Sequence, residues 1–111
     1  MKDADAEPSE QIRQRVTQAR VIQLKRFSRA KIYNNAQMSS RHIKTHCKID
    51  DASRNLLESA IDKLGLSARA FNRVLKIART IADLEGEPNI LLDHISEAIQ
   101  YRNLDRGSQY K

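Results

Sequence analysis

Tryptophan is absent from this 111-residue sequence, and only three tyrosines and two phenylalanines stand beside it, so any core must be aliphatic. One cysteine, Cys47, excludes an internal disulfide and fits a reducing, cytoplasmic setting. Glycine is scarce too: Gly65, Gly86 and Gly107 each stand alone. No glycine-rich loop can therefore cradle a triphosphate, and no strand ends in a metal-binding acidic pair. Together these absences exclude a complete P-loop ATPase. No stretch approaches the roughly 18–20 apolar residues of a membrane span. The opening Met1–Pro8 carries no apolar signal region and reads as a disordered leader or cloning remnant.

Charge of one sign is missing from a long stretch. Residues 11–49 hold ten basic side chains (Arg13, Arg15, Arg20, Lys25, Arg26, Arg29, Lys31, Arg41, Lys44 and Lys48) and no carboxylate. Residues 1–10 hold one basic and four acidic groups, and residues 50–111 nine and ten, so the net charge of +6 sits in one segment. Such asymmetry points to a polyanionic partner, nucleic acid or nucleotide. Docking on an acidic surface of another domain explains it equally in kind.

The length suits one small domain, and its period is helical throughout. Ser9 is placed to cap a first helix reaching about Arg29, with Ile12, Val16, Ala19, Ile22 and Phe27 on one stripe. Val21 and Leu24 fall outside that stripe, as expected if a second surface covers them. Tyr33–Ala36 reads as a loop. Ser39 or Ser40 caps a short helix through Cys47. Asp50 or Asp51 caps a third, with Leu56, Leu57, Ala60, Ile61 and Leu64 on a broad apolar face closed by Gly65. Ser67 opens a fourth helix in which Phe71, Val74, Leu75, Ala78, Ile81 and Ala82 lie within about 120° of arc. Arg69, Arg73, Lys76 and Thr80 occupy its opposite side, and Gly86 then Pro88 end it. A last helix near 92–101 turns Ile95, Ala98 and Ile99 inward, and the chain after Arg106 reads as a tail. The expectation is an all-α bundle of about five helices over residues 9–106.

Arg69 is the candidate functional residue. It falls in the first turn of the fourth helix, where free N–H groups and the helix dipole favour an anion. Its permanently charged guanidinium can grip phosphate oxygens with two donors, and Arg73 lies one turn on. A merely solvated basic face is the competing reading. His42 and His46, four apart beside Cys47, have zinc-like spacing but lack further ligands; His94 is distant in sequence. Ser67 reads as a cap, and Asp83 with Glu85 sits at a helix end, so neither suggests catalysis. The third and fourth helices could also mimic a helix-turn-helix, although Asn72 alone could read base edges.

The segments Leu64–Ala70 and Arg73–Leu84 resemble the C-terminal domain of the magnesium-chelatase-like ComM (YifB) family. Arg15–Arg20 with Gln23, Asn35–Met38 and His94–Arg106 match in order, so the resemblance spans about residues 11–106. It implies the lid of a bacterial, cytoplasmic AAA+ protein whose P-loop domain lies elsewhere and binds ATP with Mg2+. It further implies a ring, hexameric in expectation, that drives ATP-dependent branch migration of DNA in natural transformation. Arg69 matches the family's second-sensor arginine. Arg73, Lys76 and Arg20 are carried over only as nucleotide, interface or DNA contacts. Alternatives are the lid of a magnesium-chelatase ATPase subunit in tetrapyrrole synthesis and an independent basic DNA-binding domain.

Overall fold

The computed structural model describes residues 9–109, with side chains as far as Tyr101. The expected leader at 1–8 and the last two residues of the expected tail lie outside the described residues. The described residues form five α-helices and one 3-10 turn: α1 (Ser9–Arg26), the turn (Asn35–Gln37), α2 (Ser40–His46), α3 (Asp51–Leu64), α4 (Ala68–Leu84) and α5 (Leu92–Gln109). No strand occurs among the described residues, and the all-α expectation holds. No described helix is long and apolar enough to cross a membrane.

Helix α4 is the axis of the fold and packs against all four other helices, most extensively α5. Its apolar arc supplies Val74, Leu75, Ala78, Ile81 and Ala82 to the core, with Phe71 half-buried at the edge. Phe27, Met38, Ile43, Leu57, Ile90 and Ile95 close on it from the other segments. The core is aliphatic with one phenylalanine, as the missing tryptophan requires.

Helix ends follow local chemistry. Gly65 takes φ 64°, and Leu66 N–H reaches Ile61 C=O at 3.0 Å while Gly65 N–H reaches Asp62 C=O at 3.3 Å. Gly86 does the same for α4 at φ 74°: Glu87 N–H meets Ala82 C=O at 2.9 Å and its own N–H meets Asp83 C=O at 3.1 Å. Both are Schellman closures, which need a left-handed residue that glycine supplies without a Cβ penalty. Asp50 caps α3 by accepting from Ser53 N–H at 2.8 Å, a bond that holds its carboxyl below the usual range. Ser39 caps α2, and His42 completes a capping box by accepting from Ser39 N–H at 3.1 Å.

Four expectations are corrected. Ser9 already lies inside α1, and α1 stops at Arg26 instead of Arg29, because the chain turns there to bring Phe27 inward and Arg26 onto α4. Ile12 and Val16 are exposed at 44% and 37%: the first turns of α1 have no described element beneath them. Val21 and Leu24 are exposed as well, which leaves them open to a second surface outside the described residues. Helix α5 continues to Gln109, well past Tyr101, since a lone Gly107 lowers helix propensity without ending a helix.

Candidate functional site

The centre of the polar architecture is Asp83, whose side chain is fully buried. Arg26 of α1 donates to both of its oxygens, at 2.8 and 2.7 Å. Arg79, one turn earlier on α4, lies 3.2 Å from Oδ1. Asn35 donates its amide to Asp83 Oδ2 at 2.9 Å and to Thr80 Oγ1 at 3.0 Å. Gln23 Oε1 in turn accepts from Asn35 N–H at 3.0 Å. A buried carboxylate is tolerable only when paired and hydrogen-bonded in this way. Arg79 also donates to the carbonyls of Glu87 and Pro88, at 2.8 and 3.1 Å, and so ties down the α4–α5 connection. Burial lowers its guanidinium pKa from the ordinary value, and Asp83 opposes that shift.

This network fastens the 3-10 turn to α4 and thereby builds one wall of a groove of about 940 Å³. Arg69, Arg73, Lys76 and Thr80 form the α4 wall; Ala36, Met38 and Ser39 face them, and Tyr101 of α5 stands at one end, 50% exposed. Among the described residues, no carboxylate lines the groove. Arg69 and Arg73 are exposed, and neither has a hydrogen-bond or ion-pair partner among the described residues. Lys76 is half-buried and donates to Ala36 C=O at 3.1 Å, so part of its capacity holds the opposite wall in place. Ser67 sits at the N-cap of α4, but its hydroxyl makes no capping bond. The first-turn N–H groups beside Arg69 therefore lack a side-chain acceptor. The arrangement suits an incoming polyphosphate, offering exposed cations, helix-end donors and, among the described residues, no competing anion.

The sequence expectations divide. Arg69, Arg73 and Lys76 share one groove, whereas Arg20 is exposed on α1 in a separate cleft with Ile12, Arg13 and Val16. Arg20 is not brought to Arg69. His42 completes the capping box of α2 with Ser39, and His46 meets the Phe27 ring edge-on at 5.4 Å. No group of three or more metal-ligating side chains occurs among the described residues. His94 is buried; its Nδ1 accepts from Leu91 N–H at 2.9 Å and its Nε2 faces Glu85 at 2.8 Å, which caps α5 and pins it to the end of α4. The roles of Arg26, Asn35 and Asp83 escaped sequence reasoning. One signal was present: Arg79 and Asp83 are four apart with opposite charge, just outside the apolar arc.

The fold thus defines a helical domain with a cation-lined groove along its central helix. Residues 6–102 match the family described as magnesium chelatase, subunit ChlI C-terminal, and the chain belongs to that family. It is 44% identical over 100 residues to the Competence protein ComM of Haemophilus influenzae, a match covering 90% of this chain and 19% of that protein. It is 41% identical to the uncharacterized protein YifB of Escherichia coli, again over 90% of this chain and 19% of that one. Against the uncharacterized protein Rv2897c of Mycobacterium tuberculosis it is 31% identical over 89% of the chain and 20% of that protein. The chain is a C-terminal domain of the ComM/YifB type, and it spans about a fifth of the length of these relatives.

Proposed function

We propose that this domain is the lid of an AAA+ ATPase and that Arg69 is its second-sensor arginine. The observation that carries the reading is Arg69 itself: a guanidinium with no partner among the described residues, at the start of a 17-residue helix without a side-chain cap, in a groove that no described carboxylate lines. Bound ATP with Mg2+ would supply the transferable phosphoryl group, held by a P-loop domain that this chain does not contain. Arg69 would donate to its oxygens, with Arg73 one turn behind and Tyr101 bounding the groove. A guanidinium in that place stabilises charge on a transferring phosphate. It also biases lid position, because only differential contact with two nucleotide states can shift an equilibrium. The buried Asp83 network lets α4 and the 3-10 turn move as one body, so a pull on Arg69 is transmitted to α1.

For the whole protein we infer an ATP-driven ring, a hexamer, that migrates DNA branches during natural transformation in the bacterial cytoplasm. The 44% identity to a protein named for competence favours this over chelation in tetrapyrrole synthesis. Steady-state ATP hydrolysis by the full-length protein, with and without DNA, tests it. DNA stimulation that is lost in Arg69→Ala is expected. Hydrolysis indifferent to DNA would favour the chelatase-type reading, and undiminished activity in Arg69→Ala would remove the sensor from this position.

A further inference from the structure

The Arg69 groove does not account for most of the carboxylate-free stretch at 11–49. A second groove, of about 560 Å³, runs along the far side of α2. Lys44 and Lys48 from the α2 end and Arg54 from the first turns of α3 line it, over a floor of Ile49, Leu75 and the half-buried ring of Phe71. No described carboxylate lines this groove either. Lys44, Lys48 and Arg54 are all exposed, and none of their side chains has a hydrogen-bond or ion-pair partner among the described residues. The two grooves meet at Ser40, Ile43 and Asn72, which line both.

We propose that this second groove binds single-stranded DNA, with Lys44, Lys48 and Arg54 on the phosphodiester backbone and Phe71 beneath a base. Exposed cations beside an aromatic platform are the combination by which proteins hold single strands without reading sequence. A duplex would keep its bases stacked inside and could not use the Phe71 floor. The choice of DNA over RNA rests on the DNA-directed function proposed above; the groove itself does not distinguish the two. The inference does not depend on Arg69 or on any nucleotide.

Fluorescence anisotropy of a labelled oligothymidylate of about 20 nucleotides, titrated with the 111-residue chain, tests the site. Three phosphate contacts on a single strand predict a slope contribution of about −2 in log K against log salt. Lys44→Gln/Lys48→Gln/Arg54→Gln should weaken binding at least about tenfold at low salt and flatten the slope by about 2. Lys25→Gln/Arg29→Gln/Lys31→Gln removes the same charge from another exposed stretch and should change affinity less than about threefold. Equal losses in the two triple variants would reduce the effect to net charge and overturn the site. So would no binding by the wild-type chain, or tighter binding of a duplex; tighter binding of oligouridylate would overturn the choice of DNA. Phe71→Leu keeps the floor apolar and should weaken binding without altering the salt slope; unchanged affinity would remove the base contact. Circular dichroism of each variant confirms that a loss is read from a folded domain.

Discussion

Replacing Asp83 by Asn is the sharpest perturbation of this fold, because the two side chains share a shape and differ in charge. The fully buried carboxylate accepts from Arg26 at 2.8 and 2.7 Å and from Asn35 at 2.9 Å, and it lies 3.2 Å from Arg79. An amide at that position keeps one acceptor and turns its NH₂ toward a guanidinium. Arg26 and Arg79 would then face each other with no anion between them, and Arg79 Nε is already buried without a partner. Removing one member of a buried, hydrogen-bonded ion pair costs about 3–5 kcal/mol. Domains of this size have a total stability of about 5–15 kcal/mol, so the loss is a large share of it. The corresponding fall in melting temperature is roughly 15–25 °C. Thermal denaturation followed by circular dichroism reads it directly. In a double-mutant cycle with Arg26→Met, the coupling should exceed about 1 kcal/mol, since the partners act as a unit. A melt of Asp83→Asn within about 5 °C of wild type, or strict additivity in the cycle, would refute the network as the clasp between α1 and α4.

Three further outcomes follow from local chemistry. Burial pushes the Cys47 thiol up to about 11 from an ordinary 9.0, so its reaction with a disulfide reagent at mildly alkaline pH should be about 100-fold slower than in the unfolded chain from ionisation alone; matching rates would show an open thiol. Burial, then the charges of Arg26, His42 and Arg79, lower the His46 pKa below 6.5. The stability linked to this group is therefore complete above 6.5 and lost as pH falls through the folded value. His46→Gln should flatten the dependence of melting temperature on pH below neutrality, and an unchanged slope would contradict the assignment. Gly65→Ala and Gly86→Ala should each cost about 1–2 kcal/mol through left-handed strain. Their costs should be similar, because an added Cβ meets nothing at Gly65 and only the flexible Gln18 tip, at 3.4 Å, at Gly86; a neutral melt for either would count against the strain.

The helices of this domain were legible because their signals are local. The apolar arc of α4, the glycine after Leu64 and the capping positions Ser39 and Asp50 each act within a few residues. The groove was half legible, since Arg69, Arg73 and Lys76 repeat at helical spacing and need only one helix to share a face. Its opposite wall was not. Asn35 reads as a loop residue in sequence, yet it is buried because Gln23, Thr80 and Asp83 converge on it from positions 12, 45 and 48 residues away. Asp83 misled for the same reason: a carboxylate near a helix end is ordinarily solvated, and only the arrival of Arg26 makes its burial tolerable. Arg20 came from the family resemblance and not from a local pattern; the helix carries it, exposed, to a cleft away from Arg69.

The central claim is that Arg69 distinguishes nucleotide states, and the ratio of ATP to ADP affinity measures this most directly. Equilibrium binding of a labelled, non-hydrolysable MgATP analogue and of labelled MgADP to the full-length protein, wild type and Arg69→Ala, gives that ratio without turnover. A direct contact to the terminal phosphate predicts a wild-type preference for ATP that falls by about tenfold, or about 1.4 kcal/mol, in Arg69→Ala, while the melt of this domain stays unchanged. An identical ratio in both proteins would contradict the account and return Arg69 to the role of a solvated surface cation.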